Sequence, residues 1–292
     1  MFYLVASILL SSYLVLSFKI VAKLNLNIFQ VIVFNYIACV ITGSLFNGNF
    51  PVSSSSIGEN WFGWALFMGV LFISLFNVVG LTTRHTNVAV ASVAYKLSLV
   101  IPFVFSIYLY KEEAGFLKII GIAVALAAVL LTCWPSEKAN NKTGSNSRLK
   151  IILPLILFVG SGLLDTMIKY VEHQFLNDSN KNDYLVTAFL SAAVIGILLL
   201  SFQFATSQQK FSWKALLMGI GIGIPNYFSI WCLVQVLKQY SSNSSAIIPV
   251  NNMGIVLFST LVAWIVFREK LSPLNWIGVL LSLAAIALIA YG

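Results

Sequence analysis

Short polar punctuation cuts this chain into ten almost unbroken apolar runs, and that pattern decides which solvent the fold must satisfy. Each run is about 18–25 residues long, enough for an α-helix rising 1.5 Å per residue to cross a hydrocarbon core of ~30 Å. Hydrocarbon offers no partner to a backbone N–H or C=O, so each spanning segment must satisfy its own. The runs are continuously apolar instead of alternating, which excludes a β-barrel. The expected spans are Phe2–Ile20, Ile28–Phe46, Trp61–Leu81, Val88–Leu109, Gly115–Trp134, Ile151–Glu172, Asp183–Gln203, Trp213–Leu237, Ser244–Phe267 and Pro273–Tyr291. The fold class is therefore an all-α polytopic membrane protein.

Composition narrows the function. Charged residues make up 9% of the chain, against about 25% in a soluble domain, so a soluble enzyme is excluded. Nine acids and two histidines in 292 residues leave little material for catalysis. The net charge of +8 suits loops facing anionic lipid and calls for no nucleic-acid partner. Cys39, Cys133 and Cys232 lie apart in apolar runs and read as packing, with no disulfide or zinc spacing. The N-terminus is apolar from its second residue and lacks the basic start of a signal peptide, so it reads as an uncleaved first helix.

The long polar stretch near the centre, Pro135 to Lys150, reads PSEKANNKTGSNSRLK and divides the chain five spans to five. This gives a first five-helix unit over 1–134, a linker over 135–150 and a second unit over 151–292. Shifting the sequence by 157 positions superposes Glu112 on Glu269, Gly121 on Gly278 and Ala127-Ala128 on Ala284-Ala285. In all, ten identities fall across Asn87–Thr132 without a gap. Five is odd, so the second unit must enter the membrane from the opposite side. Ten transmembrane helices as two inverted five-helix repeats is an architecture of secondary transporters, whose substrate sits near the midplane between the repeats.

The segment YLYKEE followed by GIAVALAAVLLT resembles the drug/metabolite transporter superfamily, in its EamA-like ten-helix branch. IVFREKLSPLNWIGVLLSLAAIALIAYG is similar to the same signature in a second copy. The resemblance covers the whole chain and implies fold far more than substrate. It implies a Glu closing the fourth and ninth helices with a Gly-led helix after each, places taken by Glu112 with Gly121 and Glu269 with Gly278. The chain departs from repeat symmetry at Pro102, whose equivalent is Ser259, so the halves are expected to bend differently.

A charge at the centre of a membrane helix costs at least ~2.5–3.5 kcal/mol, so each one needs a reason. Lys96, in SVAYKLSLVIP, lies near the middle of the fourth span. Pro102 cannot donate to the Ser98 carbonyl, so the helix is expected to bend beside the lysine. Two readings stand: Lys96 faces a cavity and attracts a carboxylate or phosphate, or it pairs with an acid or snorkels. Asp165 is the one acid deep in a span. It pairs with Lys169 at i+4, serves as counter-ion to Lys96, or carries a coupling proton. On these spans Lys96 and Asp165 are offset by about 8–9 Å along the membrane normal.

The second half adds PNYFSIW and PVNNM. Pro225 is expected to break the eighth helix beside Asn226 and Tyr227, with Trp231 one turn on, while Asn251 and Asn252 follow Pro249 in the ninth. These asparagines read a polar solute or tie helices together. Tyr95, Tyr227 and Trp231 are candidate aromatic walls of a binding site. Glu112 and Glu269 read as gates or structural caps.

The reading that follows is a secondary transporter, not an enzyme, moving a small polar metabolite by alternating access. An amino acid or related carboxylate-bearing solute suits one lysine, with export an open direction. A multidrug or cationic-compound exporter is the alternative in the same class. An intramembrane lipid-modifying enzyme is the alternative of another class, and the chain has no HExxH, paired membrane carboxylates or Cys/His cluster to support it. No cofactor or metal is expected. The partners are the substrate and the bilayer, with a proton left open as coupling ion and the oligomeric state unset. Loops after odd-numbered spans are the more basic, which points them to the cytoplasm and both termini outside, although the resembled superfamily has members with cytoplasmic termini. A bacterial inner (plasma) membrane is the expected location.

Overall fold

The computed structural model describes residues 2–48, 50, 52, 56–102, 104–105, 115–133, 147–177, 180–239 and 244–291. At 133, 147, 169, 172–173, 234, 237–239, 244–249 and 290–291 it describes the backbone alone. Ten α-helices follow in order: α1 Phe2–Lys23, α2 Ile28–Asn47, α3 Phe62–His85, α4 Val88–Leu97, α5 Phe116–Cys133, α6 Ser147–Phe175, α7 Lys181–Ala205, α8 Trp213–Gln239, α9 Ser244–Val266 and α10 Pro273–Tyr291. Among the described residues there is no strand. Among the described residues, six helices have the length and apolarity to cross a membrane, and Val88–Pro102, Phe116–Thr132, Val250–Val266 and Pro273–Ile289 are shorter apolar stretches of helix.

The helix ends are written in local chemistry. Asn27 and Asn87 cap α2 and α4 by accepting from the amides of Gln30 at 3.0 Å and Val90 at 2.8 Å. Gly48 ends α2 at φ 73°, the left-handed conformation that glycine adopts without a Cβ penalty. At α10 the hydroxyl of Ser272 accepts from Asn275 N–H and the Asn275 carbonyl accepts from Ser272 N–H, a reciprocal cap, with Pro273 at the first helical position.

Two sequence expectations need correction. The fourth span is not one helix from Val88 to Leu109: α4 stops at Leu97, and residues 98–99 form a turn before helix resumes at 100–102. In the eighth, Pro225 does not break the helix, because α8 runs through it from Trp213 to Gln239. A proline removes one N–H and crowds one carbonyl, which a long helix packed along its length can absorb. Pro154 inside α6 is absorbed in the same way.

The surface is inverted relative to a soluble protein. Leu45, Leu198, Leu217 and Ile265 are exposed, while Ser7, Ser12, Ser92, Ser259 and Ser282 are buried. Large exposed apolar faces of this kind belong against lipid.

The chain forms two compact units. The first comprises Met1–Lys19, Val78–Asp165 and Ser229–Gly292. Here α5 and α10 pack closely: a Cβ on Gly121 would press into Ile289, and one on Gly278 into Thr132, including its backbone N. The Asn275 amide donates to the Thr132 carbonyl at 2.8 Å, across the same pair. α4 and α9 run antiparallel, with Ser92 and Ser259 sharing a 2.8 Å hydroxyl bond and Val88 meeting Glu269 beyond the end of α9. α1 joins this unit through Ser7 to the Ser229 carbonyl and Ser12 to the Ile255 carbonyl.

The second unit comprises Ile20–Asn77 and Thr166–Phe228. α2 packs on α7, with Gly196 against Val33 and Gly43 against Val186. Gly219 and Gly223 bring α8 onto the α2 backbone around Asn35. The Gln30 amide grips the loop before α8, donating to Lys210 O at 2.7 Å and accepting from Ser212 N. Tyr36, Phe72 and Phe189 form its aromatic core.

Gly278→Leu must push α10 off the α5 backbone, because the obstructing atoms include Thr132 N and Cα. The expected loss is about 1–3 kcal/mol or more, read as earlier thermal unfolding in detergent. Leu280→Val, on an exposed face of the same helix, should leave the midpoint nearly unchanged.

Candidate functional site

The break in α4 builds the site. Pro102 has no N–H, so the Ser98 carbonyl loses its i+4 donor. It accepts instead from Ile101 N–H at 2.9 Å, a tighter i+3 closure, and the α-helical ladder ends at Leu97. The Ser98 hydroxyl folds back to donate to the Tyr95 carbonyl at 2.5 Å and also reaches Asp165 Oδ2 of α6 at 3.5 Å. Gly162, one turn before Asp165, lets α6 approach: a Cβ there would collide with the Ile101 side chain.

Ser98, two residues after Lys96, is thereby brought to 3.5 Å from Asp165, the acid expected on a separate level from the lysine. Lys96 and Asp165 attract one another electrostatically. Lys96 Nζ lies 4.4 Å from the centroid of the Tyr95 ring, in cation–π range. Among the described residues it has neither a hydrogen-bond partner nor an ion-pair contact within 4.0 Å. The intrahelical alternative, Asp165 with Lys169, falls on a side chain outside the described residues.

Asn251 and Asn252 are buried on α9. The Ser92–Ser259 bond sets the register of α4 against α9. Counting residues from it puts Lys96 and Asn252 within roughly 4–5 Å of one level along the antiparallel pair. Asn251 Oδ1 is buried with no partner among the described residues, a state that polar atoms inside proteins seldom keep. Trp231 packs edge-on against Tyr3 of α1, with ring centroids 5.6 Å apart.

Other expected site residues go elsewhere. Asn226 donates to Asn35 Oδ1 at 3.2 Å, and Cys39 of α2 donates to the Gly223 carbonyl, so this part of α8 is tied to α2 by buried polar contacts. The Tyr227 hydroxyl donates to Asn47 at 3.3 Å. Both residues belong to the second unit, whereas Lys96, Tyr95, Asp165, Trp231, Asn251 and Asn252 belong to the first. Glu112 lies outside the described residues.

Glu269 ends as a cap with a counter-ion. Its carboxylate accepts from Val88 N–H at 3.0 Å and binds Lys19 Nζ of α1 at 2.6 Å. A carboxylate at a helix N-terminus answers free amides and the positive end of the helix dipole. Sequence reasoning missed Lys19 as its partner, because 250 positions separate the two and nothing local links them. Ser98 had a readable signal, its position four residues before a proline.

A helical chain with exposed apolar faces and, among the described residues, an ammonium and a carboxylate buried inside its spans is a polytopic membrane protein with a polar site at its interior. Residues 149–291, the second half of the chain, match the model of the EamA-like transporter family, which supports membership of the drug/metabolite transporter superfamily. An uncharacterized protein of Haemophilus influenzae is 27% identical over 294 aligned positions, covering 99% of this chain and 97% of its own. A solved crystal structure covers 98% of this chain and 94% of its own with a TM-score of 0.64 at 15% identity, a likeness of fold. The chain is thus a helical membrane protein whose second half is similar to a transporter family.

Glu269→Ala strands Lys19 and the Val88 amide together, and should cost about 2–4 kcal/mol of stability. Lys19→Met should cost less, since Val88 keeps its acceptor. In a double-mutant cycle read by thermal unfolding, additive losses would contradict the coupling.

Proposed function

We propose that this protein is a secondary transporter that recognises a carboxylate-bearing small metabolite, such as an amino acid, through Lys96. The supporting observation is the state of that ammonium: it lies inside a span, beside a helix break, without a direct anionic contact among the described residues. Holding a charge there is costly, and an anionic group on a substrate offsets that cost when it binds. Asn252, near the same level, and Tyr95 add donor, acceptor and aromatic surface. One lysine suits a monocarboxylate or zwitterion better than a doubly charged phosphate. Asn226 and Tyr227 each already have a partner within their own unit.

Two inverted five-helix repeats and alternating access belong to the same proposal. Its support is the pairing at α5 and α10: Gly121 meets Ile289 while Gly278 meets Thr132. A shift of 157 turns each pair into the other, as a two-fold relation between inverted copies requires. The Haemophilus influenzae relative supports a bacterial membrane as the setting.

Proteoliposome uptake of amino acids, monocarboxylates, sugar phosphates and cationic dyes tests the reading. A carboxylate-bearing solute should be taken up, and Lys96→Ala should lower that uptake at least tenfold. Dye transport indifferent to Lys96→Ala, with no carboxylate uptake, would make the protein a drug exporter and leave the lysine as internal structure.

A further inference from the structure

Among the described residues, Lys96 and Asp165 give the buried site one charge of each sign when it is empty, and that balance constrains what can enter. The two attract one another across the α4 break without direct contact. Among the described residues, the titratable groups interacting with Asp165 are Lys96 and Tyr95, both from α4, with Ser98 as its polar neighbour. Lys169 follows one turn later on its own helix, with its side chain outside the described residues. Another pair among the described residues of this unit, Lys19 with Glu269, is self-neutralised where α4 begins, eight residues before Lys96 or roughly 12 Å of helix.

A monoanion drawn to Lys96 would leave this site with one uncompensated negative charge in a low-dielectric interior. Such a charge is expensive there, and protonation is the ordinary way a protein removes it. A zwitterion adds no net charge and creates no such demand. We infer that Asp165 is a charge-matching group: each monoanionic substrate enters with one proton, bound to the Asp165 carboxylate, and a zwitterionic substrate enters with none. The proton comes from the aqueous phase on the loading side and leaves with the substrate on the other, when Asp165 returns to Lys96. The Ser98 hydroxyl, already donating to Tyr95 and within reach of Asp165, can follow either state of the carboxylate by rotation. Anion transport is then electroneutral proton symport, and zwitterion transport is uncoupled. This inference rests on the carboxylate-recognition reading above.

The test uses the full-length protein in liposomes containing a pH dye, with matched 2-hydroxy acids and 2-amino acids such as lactate with alanine and phenyllactate with phenylalanine. Substrate, proton and charge movement are recorded together. The expected result is one proton per hydroxy acid with no current, and no proton per amino acid. Asp165→Asn should abolish proton movement with the hydroxy acid and make its uptake depend on membrane potential. Equal proton ratios for both substrate classes would overturn the inference while leaving carboxylate recognition intact. Transport of neither class would instead remove the carboxylate reading and the inference with it. The wild-type comparison needs no variant, so a poorly folding Asp165→Asn protein does not block the test.

Discussion

Hydrocarbon supplies no hydrogen bonds and no counter-charges, and every feature of this protein answers to that constraint. Helices satisfy the backbone within each segment. Buried hydroxyls donate to carbonyls of their own turn, as Thr82, Thr83 and Ser282 do, or to neighbouring helices, as Ser7 and Ser12 do. Glycines then let helices approach where side-chain volume would separate them, at α5 on α10 and at α8 on α2. The polar interior and apolar exterior have one cause.

Against that background the α4 break stands out as a deliberate expense. A missing N–H at Pro102 leaves the Ser98 carbonyl to an i+3 closure and ends the α-helical ladder next to a lysine, at Leu97. The resulting turn carries Ser98 to the side of Asp165, while Gly162 admits α6 to the same place. Stability is surrendered locally, and an ammonium is held near but not against a carboxylate. A charge pair arranged in this way can respond to an incoming ion, which a tight contact such as Lys19 with Glu269 cannot do as readily.

Much of this organisation was legible from composition and spacing. Each of the ten apolar runs carries a helix among the described residues, and six of these are long and apolar enough to cross a membrane. Prolines were less readable: Pro102 ends its helix at a turn, while Pro225 and Pro154 are carried through. The difference lies in what surrounds each proline, because neighbouring helices decide whether a lost hydrogen bond becomes a break. The asparagines divided similarly. Asn226 proved to face Asn35, a partner 191 positions away that no local pattern names.

By itself the sequence determined the solvent and the helical class, since these depend only on how apolarity is distributed along the chain. It also singled out Lys96 and Asp165, because charge within an apolar run is visible without coordinates. Their proximity was a tertiary decision: it depends on how far α4 bends, how closely Gly162 packs and how α6 slides against it. So was the pairing of Lys19 with Glu269. Periodicity records how far apart residues stand along one helix, but the level at which two helices meet is set by side-chain packing between them.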